Sequence, residues 1–83
     1  MAETKGLVQR LSIFSKSTAC VWIGPTPNNN SLLFVSNDGS PADSAFAATL
    51  VHTLAAASTN YREVVAIHSD TGSKITALRV DPV

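Results

Sequence analysis

Cysteine and charge are both scarce in this 83-residue sequence. Cys20 is the single cysteine, which excludes an internal disulfide and a multi-cysteine zinc site. Charged residues make up 14 %, against about 25 % in an average globular domain. Six basic residues balance six acidic ones. This balance excludes a charged tail and a polybasic surface, so we expect no nucleic-acid partner.

Long apolar runs are also missing. No stretch approaches the roughly 20 apolar residues that span a bilayer, so we expect no membrane insertion. The start, Met1-Ala2-Glu3-Thr4-Lys5, has no apolar segment of the kind that marks a secretory signal. We therefore expect a cytoplasmic protein, or a secreted one if a leader was removed.

The length predicts a single domain over residues 1–83. A chain this short buries about 60–65 % of its unfolded surface, so its core is small. Hydrophobic residues nevertheless make up 45 %, which argues against a disordered chain.

The first half of the chain has strand-like segments separated by turn residues. Apolar residues dominate residues 7–14, 18–23 and 31–36, which predicts three strands in a meander. Residues 24–30 are rich in Gly, Pro and Asn and predict a loop. A second turn is predicted over residues 37–39.

A helix follows this turn. Ser40 is a suitable N-cap, Pro41 suits the first helical position, and Asp43 stands where a capping box has its acid. The alanine-rich segment that follows has no Gly or Pro up to residue 58. Two strands complete the chain, over residues 63–68 and 75–80, joined by a hairpin. The predicted fold is α+β and mostly β, a small barrel or curved antiparallel sheet in the order β-β-β-α-β-β.

The helix has two distinct faces. Phe46, Leu50 and Leu54 recur every four residues, with Ala47 and Ala57 beside them, and we expect this stripe to pack on the sheet. The opposite face has no charged side chain. It is either a plainly exposed alanine face or a second packing surface, and the chain has no spare element to cover it. We therefore predict a homo-oligomer whose interface contains Ala45, Ala48, Thr49, His52, Ala55 and Ala56.

Catalytic and metal motifs are not found. The two histidines, His52 and His68, have no paired ligand spacing, and the four glycines are scattered singly. Asp70 lies near His68 in sequence, but this adjacency alone does not make a triad. We predict no enzyme activity, no metal and no cofactor. A minimal enzyme with its site between subunits is a further alternative.

Polar ligand recognition has some candidate residues. An indole can cover the apolar face of a sugar, and amides both donate and accept hydrogen bonds. The predicted ligand-binding residues are Trp22, Asn28, Asn29, Asn30, Asn37 and Asp38. Two alternatives stay open: the asparagines are simply turn formers, and Trp22 lies in the core.

The element order, the length and the position of the helix together resemble the oligomer-binding fold of bacterial AB5-toxin B subunits. The resemblance covers the whole chain as architecture and no sequence motif. It implies a small β-barrel with one helix, a ring of five copies and binding to glycans.

The sequence thus predicts a small, non-enzymatic, oligomeric binding module for a glycan or small polar ligand. The alternative is a structural assembly or adaptor protein that binds another protein.

Overall fold

The computed structural model describes residues 1–15 and 18–80. It confirms the predicted α+β class and the order β-β-β-α-β-β. The elements are β1 Ala2–Ile13, β2 Thr18–Thr26, β3 Asn29–Ser36, α1 Pro41–Thr59, β4 Glu63–His68 and β5 Ile75–Val80.

The five strands form one open sheet in the order β3-β2-β1-β4-β5. All neighbouring strands run antiparallel. The sheet is curved, because its two edges meet at a single parallel bridge between Phe34 and Lys74. The Phe34 N–H donates to the carbonyl of Ser73 at 2.8 Å. The curved-sheet prediction is therefore confirmed, with the edges joined only at this one point among the described residues.

Alternation along the strands gives the sheet an inner face against α1 and an outer face away from it. The inner face and the helix supply the core, which consists of Val8, Ala19, Val21, Ile23, Leu33, Val35, Ala47, Leu50, Leu54, Ala57, Val64, Ala66 and Ile75. Outer-face side chains include Arg10, Trp22 and Leu32, which lie side by side across three strands. Cys20 and Val65 are buried but lie outside this core, on the outer face.

The first hairpins extend further than the sequence predicts. β1 begins at Ala2, because it pairs with β4 from the first residues onward. The predicted loop over residues 24–30 is wrong, since Thr26 pairs with Asn29 and leaves a two-residue turn. Pro25 is accommodated because the register of β2 shifts between Ile23 and Thr26.

Gly6 and Gly24 allow the backbones of β1 and β2 to approach each other closely. Gly6 has φ of 153°, a conformation that side-chain-bearing residues rarely adopt. A Cβ atom on Gly6 would lie 2.7 Å from the backbone of Gly24. A side chain at position 6 would therefore collide with the backbone of β2.

The helix begins as predicted. The Ser40 hydroxyl accepts a bond from the Asp43 N–H at 3.3 Å, and Pro41 is the first helical residue. The capping box is not reciprocal, however. The Asp43 carboxylate accepts from the Asp38 N–H at 2.8 Å, and Asp38 itself accepts from the Ser40 N–H at 2.8 Å. The carboxylates of Asp38 and Asp43 thus each accept one backbone N–H bond at the start of the helix.

The buried stripe of the helix differs from the prediction at one end. Leu50 and Leu54 are buried, together with Ala47 and Ala57, but Phe46 is 45 % exposed. Residues spaced by four drift around the helix axis, because a turn contains only 3.6 residues. In the first turns the drift moves Phe46 to the edge of the contact and places Ala47 over the sheet.

The helix ends in a Schellman motif built on an unusual residue. Arg62 N–H donates to the Ala57 carbonyl and Tyr61 N–H to the Ser58 carbonyl. Tyr61 has φ of 53°, a left-handed conformation that normally favours glycine. No helix in the described part of the chain has the length and hydrophobicity needed to cross a bilayer.

Candidate functional site

A shallow pocket opens on the outer face around Trp22. Its volume is about 270 Å³, and it is lined by Gln9, Arg10, Trp22, Pro27 and Asn30. Trp22 is half-buried and points away from the core, since its neighbours Val21 and Ile23 occupy the inner face. Of the two positions that the sequence leaves open for this indole, the structure places it outside the core.

Arg10 lies over the indole. Its guanidinium carbon is 5.5 Å from the centroid of the Trp22 ring, within the range of a cation–π contact. Arg10 reaches this position because the register of β1 shifts between Val8 and Arg10, which leaves Gln9 as the extra residue of a β-bulge. The ring face is therefore covered, and a ligand would meet the Arg10–Trp22 stack rather than a bare indole.

Two amide side chains border the stack. Gln9 Nε2 donates to the Gly24 carbonyl at 2.8 Å, and Asn30 Nδ2 donates to the Pro27 carbonyl at 2.8 Å. These bonds hold both amides in place. Neither amide oxygen accepts a hydrogen bond within the described residues, so both remain as acceptors for hydroxyl groups.

The structure brings only two of the six predicted ligand residues, Trp22 and Asn30, into this pocket. Asn28 and Asn29 are exposed at the turn between β2 and β3. Asn37 follows Ser36, which pairs with Thr18, four residues and about 13 Å along β2 from Trp22.

Asn37 and Asp38 are hydrogen-bonded at the start of α1. Asn37 Oδ1 accepts from the Gly39 N–H at 3.0 Å and from the Ser44 hydroxyl at 3.3 Å. The backbone N–H of Ser40 beside Asp38, with a lesser contribution from the charge of Lys74, lowers the pKa of the Asp38 carboxyl. These contacts position the helix, and a ligand role for the two residues stays a prediction.

A second concave surface lies between α1 and the ends of β1, β2 and β3. We call it the helix groove. Its volume is about 490 Å³ and its lining is Ile13, Ser15, Thr18, Ala19, Val35, Asn37, Ser44, Ala47, Ala48, Val51, His52 and Ala55. Three residues of the predicted oligomer interface, Ala48, His52 and Ala55, lie in this lining. The other three, Ala45, Thr49 and Ala56, are exposed on the adjacent helix surface.

Both ring nitrogens of His68 are engaged in hydrogen bonds within the fold. Its Nδ1 lies 2.9 Å from the Ser69 carbonyl and 3.0 Å from that of Gly72, and carbonyls only accept, so Nδ1 carries the proton. Its Nε2 then accepts from the Thr4 hydroxyl at 2.9 Å. Asp70 instead pairs with the N-terminal amine at 3.3 Å. In the described part of the chain, no three His, Cys, Asp or Glu residues are close enough to hold a metal ion.

Comparison of the chain with protein-family models, with curated proteins and with solved structures finds no match.

Gln9, Arg10 and Pro27 are site residues that sequence reasoning missed. Arg10 and Trp22 are twelve positions apart, and only the register of β1 against β2 makes them neighbours. Their alternation with apolar residues places both on one face of their own strands. That pattern could have suggested an outward position for each, but not their contact.

Proposed function

We propose that this protein is a small, non-enzymatic binding module that takes a glycan or another small polar molecule at the Trp22 pocket. The observation that carries the proposal is the convergence of a cation, an indole and two amides on the outer face. These side chains are not part of the core, because the core is formed by apolar residues of the inner face and α1. Polar groups held around an aromatic ring suit a ligand with many hydroxyls.

Fluorescence tests this assignment directly, because Trp22 is the single tryptophan. We expect a saccharide selected on a glycan array to change the emission of Trp22. Asn30→Ala should weaken the binding about fivefold through loss of one hydrogen bond. Asn28→Ala is the matched control, since Asn28 is exposed and outside the pocket, and it should bind normally. Equal losses in the two variants, or a panel of glycans that never alters the emission, would contradict the proposal.

We also propose that the module works as a homo-oligomer, with a second copy seated on the helix groove. Among the residues that the structure describes, the groove lining contains no Lys, Arg, Asp or Glu. At its edge, the lining residue Ile13 and its neighbour Phe14 are 67 % and 68 % exposed. The same chain therefore carries an apolar groove and protruding apolar side chains to fill the groove of another copy. Five copies is the number implied by the resemblance to AB5-toxin B subunits, and we adopt it here.

The solution mass tests the oligomer. Light scattering should give about five times the 8.7 kDa of one chain. Ala48→Glu should reduce this mass, because it would bury an unpaired charge in the contact. Ala42→Glu is the control, since Ala42 is an exposed helix residue outside the groove. A wild-type monomer at high concentration would contradict the oligomer.

The alternative function, a structural assembly or adaptor protein, rests on the same groove. The two functions predict different results in the two experiments. An oligomer whose Trp22 emission responds to no glycan supports the assembly protein. An oligomer whose emission responds, with the Asn30 dependence given above, supports the binding module.

A further inference from the structure

We infer that the Trp22 pocket selects saccharides that carry a carboxylate, such as uronic acids. The inference rests on the proposed function and narrows it to a ligand class. The pocket contains hydrogen-bonding groups that are available to a ligand. Arg10 supplies N–H donors, whereas Gln9 and Asn30 supply amide oxygens.

The guanidinium is held without being neutralised. Arg10 is exposed, and its guanidinium lies over Trp22 at 5.5 Å. Within the described residues, the pocket lining contains no carboxylate. A cation–π contact uses the charge of the guanidinium and no hydrogen bond, so its N–H groups stay available to a ligand. Two parallel N–H groups match the two oxygens of a carboxylate, and such bidentate pairs are among the stronger hydrogen bonds in proteins.

The neighbouring acceptors define the remainder of the ligand. The Gln9 amide donates to the Gly24 carbonyl, and the Asn30 amide donates to the carbonyls of Thr26 and Pro27, which fixes the orientation of both amides. The oxygens can then accept hydrogen bonds from ligand hydroxyls. One cation beside two acceptors matches a polyhydroxylated molecule with a single negative charge.

A phosphate is a poorer match. Arg10 is the only cation that the described residues contribute to the pocket lining, and the chain as a whole has zero net charge. A phosphate monoester carries nearly two negative charges at neutral pH and would be only half compensated. A nucleic-acid strand would need a continuous basic surface.

Titration with three sugars that share one ring tests the inference. Glucose, glucuronate and glucose 6-phosphate are added separately while Trp22 emission and the indole N–H resonance are recorded. We expect glucuronate to bind about tenfold more tightly than glucose, the effect of one charge-assisted contact. Glucose 6-phosphate should bind less tightly than glucuronate.

Two variants locate the selectivity. Arg10→Gln should bind glucuronate and glucose equally, whereas Lys5→Gln should keep the preference. Lys5 is the matched control because it is an exposed cation on the same strand and the same outer face, opposite Val65. Both variants lose one positive charge, so a general electrostatic effect would appear in both.

The outcomes separate this inference from the proposed function. Equal binding of glucose and glucuronate, tighter binding of glucose 6-phosphate, or a preference that survives Arg10→Gln overturns the carboxylate selectivity and leaves the proposed function in place. If none of the three sugars alters the Trp22 signals, the selectivity is overturned. If a wider glycan panel also leaves them unchanged, the proposed function is overturned as well.

Discussion

The two faces of the sheet are built from the same strands and differ in what their side chains do. The inner face contacts α1 with apolar side chains, and the described residues include no buried polar or charged residue. The outer face carries Arg10 and Trp22 in an open pocket. Stability is concentrated on one face, so the other can hold polar groups at little cost to folding. If this division holds, substitutions at core positions should destabilise the protein more than substitutions on the outer face.

Truncation of the buried leucine side chains of α1 should destabilise the protein most. Leu54 is 0 % exposed, and Leu54→Ala should lower the free energy of unfolding by about 2–5 kcal/mol. Leu50→Ala belongs to the same range. Leu32→Ala is the outer-face control and should cost less than about 1 kcal/mol, because Leu32 is 40 % exposed. Urea unfolding measures all three, and equal losses at Leu54 and Leu32 would remove the distinction between the faces.

Substitution of Cys20 tests the buried strip of the outer face, which consists of Cys20 and Val65. The side chain is 2 % exposed although it lies outside the core. Cys20→Ser should cost about 1–3 kcal/mol, because it places a polar hydroxyl at a position that is only 2 % exposed. Cys20→Ala, which adds no polar group, should cost less. If the serine variant is as stable as wild type, this strip is open to water and the outer face is polar throughout.

The C-terminal end of α1 contains stored strain. Tyr61→Gly should raise the free energy of unfolding by about 0.5–1 kcal/mol, since glycine adopts the left-handed conformation without steric cost but loses more chain entropy. The melting temperature should rise by a few degrees. Tyr61→Ala removes the ring but keeps the Cβ atom and should show no such gain. A gain in the alanine variant would mean that the exposed ring, and not the backbone, is unfavourable.

The N-terminal end of α1 should make stability depend weakly on pH. The pKa of Asp38 is lowered in the folded state from an ordinary value of 3.8. Its contribution is therefore fully present above about pH 4 and is lost as the pH falls through the lowered pKa. Asp38→Asn keeps an oxygen for the Ser40 N–H but cannot titrate, so stability should fall less steeply below pH 4. Parallel pH dependences in urea unfolding would contradict this role.

The types of the elements and their order along the chain could be predicted from local sequence patterns. The capping residues Ser40 and Pro41 mark the start of the helix, and β4 and β5 lie where the apolar runs predict them. These features depend on contacts between near neighbours in the chain, which a local pattern records. Alternation along β1 likewise separates Arg10 and Ser12 from Leu11, which packs against the core.

How these elements pair and pack depends on contacts between residues far apart in the chain. The register of β1 against β2 depends on a bulge at Gln9 and on the close approach of Gly6 to Gly24, and it brings Arg10 over Trp22. The same register separates Asn37 and Asp38 from the pocket and assigns them to the helix cap. Strand pairing joins residues far apart in the chain, and a shift of one position exchanges the two faces. The site therefore follows from packing and bulge geometry, which no local pattern of residues encodes.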